Sequence, residues 1–363
     1  MSALTEQRTV TIQQAKNELM FCMRKKRPVF LWGPPGIGKS ELVQAISDEM
    51  GGKMYDLRLA LMDPSDLKGV LYYNPVQGNA TWSSPPDLPS AEEAAKYPVV
   101  VLFLDEMNAA PPATQAAAYQ LVLNRKVGTY ELPDNVVIVA AGNRDTDRGV
   151  VYRMPSPLAN RFIHLNLRPD FESWQSWAID NKIHADVVGY LSHHKVDLFS
   201  FDAKNSSQAF ATPRSWSFVS ELLTDGDTDS DTLADLVAGS IGEGLAIKFM
   251  AHRQFSSKLP DPRAVLEGKV TKCETKEISA MYSLTVSMCY ELKELVNKKS
   301  PTKNEAMNNY FLFMMNNFET EITIMGTKLA LCSYKLQIDP DDIACFDEFH
   351  GKYGKYITAA SGQ

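Results

Sequence analysis

What this sequence has little of narrows its function before any motif is read. Cysteine is scarce: five in 363 residues, Cys22, Cys273, Cys289, Cys332 and Cys345, an odd number with no CxxC pair. A disulfide framework or a thiolate zinc site needs paired spacing, so these read as reduced, buried thiols. The six histidines show no ligand spacing; His193 and His194 are adjacent and point apart on any helix or strand. No apolar run reaches the ~18 residues that a membrane-spanning helix requires. The opening MSALTEQRTV lacks the charged-then-apolar profile of a secretion signal. A cytoplasmic protein without a membrane span is therefore expected. Positive charge is not in excess either: 37 Lys and Arg stand against 44 Asp and Glu, a formal charge of −7. A surface that neutralises nucleic-acid phosphates needs the opposite balance, so nucleic acid is disfavoured as a partner. There are no internal repeats and no low-complexity linkers.

What is present is a large apolar fraction, 44%, enough for a sizeable core in two or three domains. The first half alternates short apolar runs with helical patterns. The runs are Pro28–Trp32, Met54–Leu61, Val99–Leu104, Val136–Ala141 and Phe162–Leu167. Continuous runs such as VVVLFL suit strands covered on both faces of a parallel sheet. Glu41–Met50 and Thr114–Leu123 carry apolar residues at helical spacing between them. Strand–helix alternation predicts an α/β sheet with helices on both sides. Between the second and third runs, Val70–Tyr73 and Ala80–Ser83 are expected to pair as a projecting hairpin within residues 70–89. After about residue 168 helices dominate: Phe171–Asn181, Asp186–His194, Pro213–Leu223, Thr232–Phe249, Lys276–Val296 and Asn304–Leu336. In the last of these, Phe311, Met314, Met315, Phe318, Ile322 and Met325 recur at helical spacing and read as helix–helix packing.

Two motifs carry chemistry. Gly33-Pro34-Pro35-Gly36-Ile37-Gly38-Lys39-Ser40 fits GxxxxGK[ST], directly after a strand and opening a helix at Glu41. Its glycines let backbone N–H groups face phosphates without an intervening Cβ, and the helix N-terminus adds partial positive charge. Lys39 is expected on the β- and γ-phosphates of ATP and Ser40 on Mg2+. Asp105 and Glu106 follow the buried run Val99–Leu104, at the strand end where α/β sheets bind ligands. Asp105 is expected to hold the magnesium and Glu106 to polarise the attacking water.

Further segments extend the pattern: DPSDLKG (Asp63–Gly69), FLDEMNAAPPATQAA (Phe103–Ala117), LPDNVVIVAAGN (Leu132–Asn143), SPLANRF (Ser156–Phe162) and ATPRSW (Ala211–Trp216). In this order they resemble the MoxR-type AAA+ ATPases of the helix-2-insert clade, over about residues 28–220. Where that family usually reads DEINRAPP, this chain has DEMNAAPP, with Ala109 in place of the arginine; whatever that arginine does is not carried over. The resemblance implies a P-loop core with a five-stranded parallel sheet over residues 1–168. An all-α lid over 169–260 and a helical C-terminal extension over 261–363 follow. It implies Asn143 as sensor 1 and Arg161 as a finger reaching the neighbouring subunit's γ-phosphate. Arg214 would be sensor 2, in contact with the γ-phosphate from the lid. Arg144, Arg148 and Arg153 are further candidates for a second arginine acting in trans. The hairpin matches an insert that in relatives faces a pore or a substrate, with Tyr72, Tyr73 and Trp82 expected as its exposed aromatics.

Asp225–Asp231 begins like a calcium loop, but Ser230 and Leu236 stand where the EF-hand pattern needs Gly and Glu. It reads as an acidic loop in which Asp231 or Ser230 caps the next helix. The leading expectation is thus a hexameric ATPase ring that remodels or activates a partner complex in a chaperone-like way. The resemblance implies a von Willebrand factor A domain protein as that partner. A nucleic-acid motor and a nucleotide-gated scaffold with little turnover are the alternatives.

Overall fold

The structure, a computed structural model, describes residues 8–358, apart from 77, 84, 145–146, 148–151, 202–207, 225–228 and 257. The chain divides into two compact units, one running to Asp170 and the other beginning at Phe171.

The first unit holds strands β1 (Thr9–Val10), β2 (Val29–Trp32), β3 (Lys53–Arg58), β4 (Leu71–Asn74), β5 (Asn79–Trp82), β6 (Val100–Asp105), β7 (Lys126–Val127), β8 (Tyr130–Glu131), β9 (Val136–Gly142) and β10 (Ile163–Leu167). Its helices are α1 (Ile12–Arg24), α2 (Lys39–Glu49), α3 (Pro64–Lys68), α4 (Ala91–Ala94), α5 (Pro112–Asn124) and α6 (Ser156–Ala159). Six strands form one parallel sheet in the order β1-β10-β2-β9-β6-β3. The expectation of five is corrected by β1, a two-residue edge strand on β10 too short to announce itself by periodicity. Every residue of β9 is buried, as are Val100–Leu104 of β6, because helices cover both faces. Phe30, Leu102, Leu104, Ile138 and Ala140 pack on one face with Ala117, Ala118 and Leu121 of α5. Each fully buried Phe, Leu or Ile among them contributes roughly 1.5–3 kcal/mol. The central strands β2, β9 and β6 are neighbours and all run the same way. Their three C-terminal ends therefore meet at one edge, which is where the two motifs fall.

The predicted hairpin is β4 and β5, in register from Leu71 opposite Trp82 to Asn74 opposite Asn79. Its base explains DPSDLKG. Asp63 and Asp66 form a capping box around α3, with Pro64 in the first turn. Gly69 has φ +80°, and a Cβ there would lie 1.9 Å from the Ser83 carbonyl oxygen. Only glycine lets the two sides of the hairpin base approach so closely. Tyr72 and Tyr73 are exposed, whereas Trp82 is half-buried and rests against Gly128. The expectation of three exposed rings thus holds for two.

The second unit is helical: α7 (Phe171–Asp180), α8 (Ala185–His193), α9 (Pro213–Thr224), α10 (Ser230–Ile241), α11 (Glu243–Ser256), α12 (Pro262–Leu266), α13 (Ile278–Asn297), α14 (Lys303–Asn317), α15 (Thr320–Lys328) and α16 (Phe346–Thr358). One core runs through it, from Trp174 and Trp216 to Phe249, Tyr310 and Phe349. The Met and Phe stripe belongs to that core: Phe311, Met314, Phe318 and Ile322 are buried, and Met315 and Met325 pack against them. Two long helices expected from the sequence are each two. Gly242, at φ +90°, separates α10 from α11. The extended backbone of Phe318 and Glu319 separates α14 from α15. The cap of α10 is Asp229, whose carboxylate accepts from the N–H groups of Asp231 and Thr232. The neighbouring Asp231 and Ser230 lie inside the helix, and residues 225–228 of the acidic loop are outside the described residues.

Candidate active site

The loop between β2 and α2 is shaped by its glycines. Gly36 and Gly38 take φ +75° and +92°, values that side chains with a Cβ rarely adopt. A Cβ at Gly33 would lie 2.6 Å from the tip of Ile37, Cδ1, and 3.3 Å from Leu167 Cβ, so the buried Ile37 side chain would have to move aside. Gly38 caps α2 without any side-chain bond, leaving the first-turn N–H groups of that helix for a ligand. Pro34, Pro35 and Ile37 carry the chain between these turns, with Ile37 buried as the anchor.

Lys39 bends back over this loop. Its Nζ donates to the carbonyls of Gly33 (2.6 Å) and Pro34 (3.1 Å), and to Asn143 Oδ1 (3.1 Å). Asn143 follows β9, so the structure joins the P-loop lysine to the residue expected as sensor 1. Ser40 Oγ donates to Asp105 Oδ2 at 3.3 Å, joining the expected magnesium hydroxyl to the expected magnesium carboxylate. One hydroxyl and one carboxylate side by side suit a magnesium ion held mainly by substrate phosphates and water. Glu106 lies beyond them with φ +53°, and its N–H donates to Asp105 Oδ1 at 2.8 Å. A non-glycine residue in that region is strained by about 1–2 kcal/mol, and here the turn aims an exposed carboxylate past the strand end. Glu41 sits exposed in the first turn of α2.

Two residues of the site escaped the sequence reading. Asn108 is 3% exposed, and its Nδ2 donates to the Asn143 carbonyl at 2.7 Å. It fixes the backbone from which Asn143 reaches Lys39; its position two residues after Glu106 was the one available hint. Asp56 on β3 is the other. Partial burial, then the nearby carboxylates of Asp105, Glu106 and Glu41, push its carboxyl above the ordinary range, with Arg58 pulling back. The strand-end edge is thus a field of negative charge that a divalent cation would relieve.

The arginines separate. Arg161 leaves α6 just before β10, exposed, and no side-chain partner holds it among the described residues. Ile163 is level with Val29 in the β10–β2 pairing. Arg161 lies in the turn before that level and Gly33 four residues beyond it. At ~3.3 Å per residue, Ile163 and Gly33 alone are roughly 13 Å apart along the strands. Arg144 is held inside, its guanidinium donating to the Leu167 carbonyl and its N–H to Asp147. Arg153 is exposed, and Arg148 lies outside the described residues. Arg214 is exposed in the first turn of α9, in the second unit.

A glycine loop on a helix N-terminus, with a lysine, a hydroxyl and a carboxylate converging beside it, defines a P-loop nucleotide-binding domain. Residues 29–168 match the model of the AAA family, the ATPase family associated with various cellular activities, so this unit is similar to the ATPase domains of that family. A stretch of 177 residues is 25% identical to midasin from Giardia intestinalis; it makes up 47% of this chain and 4% of that relative. Among solved structures, a point mutant of RuvB from Thermotoga maritima aligns over 71% of this chain and 76% of its own, at 18% identity and TM-score 0.37. NtrX from Brucella abortus aligns over 84% and 69%, at 17% identity and TM-score 0.40. Among the described residues no helix is long and apolar enough to cross a membrane.

Proposed function

We propose that this chain binds ATP with magnesium in the Gly33–Ser40 loop and hydrolyses it within an oligomeric ring, most simply a hexamer. The observation that carries the reading is the convergence of Lys39 on Asn143 and of Ser40 on Asp105, across three adjacent strand ends. Lys39 and the loop N–H groups bind the phosphates. Magnesium, held by Ser40 and Asp105, would supply charge to the β- and γ-oxygens. Glu106 accepts a proton from the attacking water, and Asn143 orients it.

Arg161 serves a neighbour's site in this reading. Its distance from its own cradle supports that role, and a heterologous interface that closes into a ring provides the geometry. Arg214 in α9 reads the γ-phosphate from the helical unit. The order of motifs further supports a MoxR-type role, in which the ring uses turnover to remodel or activate a protein complex in a chaperone-like way. A von Willebrand factor A domain protein is the partner class to try first. The β4–β5 hairpin, uncharged from Val70 to Ser83 and with Tyr73 67% and Val76 93% exposed, favours a protein client over nucleic acid.

Phosphate release by the full chain, with and without nucleic acid, tests this. Glu106→Gln is expected to lower turnover ~10²–10⁴-fold while ATP binding persists. Arg161→Ala is expected to lower it ~10³-fold or more. Negligible phosphate release by both the parent chain and Glu106→Gln would leave a nucleotide-gated scaffold instead. Strong stimulation by DNA or RNA would make it a nucleic-acid motor.

A further inference from the structure

Besides the cradle itself, one run of side chains connects the two strand ends that the proposed reaction uses. Trp32, the last residue of β2 before Gly33, donates from Nε1 to Nδ1 of His164 on β10 at 2.8 Å. Nε2 of the same imidazole lies 2.8 Å from the carbonyl oxygen of Ala159, the last residue of α6. Elementary chemistry places the proton. An indole N–H only donates and a peptide carbonyl only accepts, so the neutral tautomer protonated at Nε2 alone satisfies both neighbours. An imidazolium would set a second N–H against the indole N–H.

The strut is also packed. Trp32 stacks on Phe30 at 4.2 Å between ring centroids and lies nearly parallel to His164 at 6.0 Å, with Phe162 edge-on to Phe30 at 5.5 Å. Its two ends are informative. One is the residue directly before the phosphate loop. The other is a single helical turn, Ser156–Ala159, from which Arg161 projects two residues later.

We propose that His164 is a positioning residue for the reaction in the neighbouring subunit: it couples the placement of the Arg161 that a protomer lends to the state of that protomer's own phosphate cradle. The inference rests on the reading of Arg161 as a finger acting in trans. Phosphates in the cradle restrain the Gly33–Gly38 backbone and hence Trp32, its immediate neighbour. The strut passes that restraint to the Ala159 carbonyl, and with it to the short helix and the Arg161 guanidinium. Such a coupling needs a continuous physical connection with a defined arrangement at each joint, which these two hydrogen bonds provide.

Mixed rings of full-length chains test it. A Glu106→Gln protomer cannot hydrolyse but still lends Arg161. An Arg161→Ala protomer lends nothing but keeps its own cradle. Mixed together they are expected to recover turnover roughly tenfold above either alone. Placing His164→Phe in the Glu106→Gln protomer, the lender, is expected to reduce that recovery about fivefold or more. Placed in the Arg161→Ala protomer it should have a far smaller effect, an asymmetry that a general loss of stability would not produce. Trp32→Phe in the lender should reproduce the defect. His164→Gln, whose amide offers both an acceptor and a donor, should restore part of it. Equal losses on the two sides, or none on the lender's side, would overturn the coupling and leave the trans arginine standing. No recovery in the parent mixture would overturn the trans arginine itself.

Discussion

Replacing Gly142 with alanine adds one methyl group at the end of β9, and the structure shows what that group would meet. Its carbon would lie 2.2 Å from Asn108 Oδ1, 2.8 Å from Asn108 Cγ and 3.0 Å from Phe30 Cζ. The Phe30 ring is fixed in the core, so the Asn108 amide has to leave. In leaving it gives up the 2.7 Å bond to the Asn143 carbonyl. A lost buried hydrogen bond is worth about 1–1.5 kcal/mol and overpacking about 1–3 kcal/mol, so Gly142→Ala should destabilise the α/β unit by about 2–4 kcal/mol. Function should suffer as well. Without Asn108 the Asn143 backbone drifts, and a displacement of ~1 Å at a reacting centre lowers turnover by ~10²-fold. Nucleotide affinity, set by the loop N–H groups and Lys39, should hold within about threefold, because those contacts bind ground state and transition state alike. Urea melts, phosphate release and binding of a fluorescent ATP analogue measure the three quantities. Asn108→Ala removes the colliding atoms, so adding Gly142→Ala to it should cost little more, a non-additivity that identifies the collision as the cause. A Gly142→Ala chain that melts within about 0.5 kcal/mol of the parent and turns over normally would refute the reasoning.

Three further outcomes follow from the geometry. Glu106→Asn keeps a residue tolerant of the left-handed backbone at φ +53° but shortens the carboxylate to an amide; stability should be unchanged or slightly higher while turnover falls ~10²-fold or more, and a destabilised variant would contradict the strain argument. In the helical unit, burial holds His252 and His184 below the ordinary imidazole value of 6.5. The unfolded chain then binds more protons in that window, so stability is complete above about pH 6.5 and declines as pH falls below it. Urea midpoints between pH 7.5 and 5.5 should show that slope and His252→Gln should flatten it; a slope of the opposite sign is the contrary result. Finally, burial pushes the Cys289 thiol up to about 12 whereas Cys332 is exposed. Maleimide should label Cys332 in the native chain and Cys289 only on unfolding, as peptide mapping would reveal.

Much of this protein could be read before folding it. The Gly33–Ser40 loop is legible because its requirements are local: glycines where φ is positive, and a lysine and a hydroxyl opening the helix that follows. The run ending at Asp105 is legible because a strand covered on both faces has to be apolar throughout. The elements missed have equally physical causes. A two-residue strand such as β1 has no period. Gly242 and Phe318–Glu319 interrupt helical patterns whose apolar spacing continues on either side, so composition alone reads one helix where there are two.

By itself, then, the sequence determined which segments alternate through the sheet, where the glycine loop sits and which carboxylates follow the central strand, since each depends on residues a few positions apart. Tertiary structure decided the rest. That Lys39 meets Asn143, that Asn108 holds Asn143 in place, that Trp32 bonds to His164, and that Arg161 lies before the start of β10 while the cradle lies beyond the end of β2 are all consequences of strand order and register. Those contacts join residues from 35 to 132 positions apart, and no local pattern encodes which of them a parallel sheet will bring side by side.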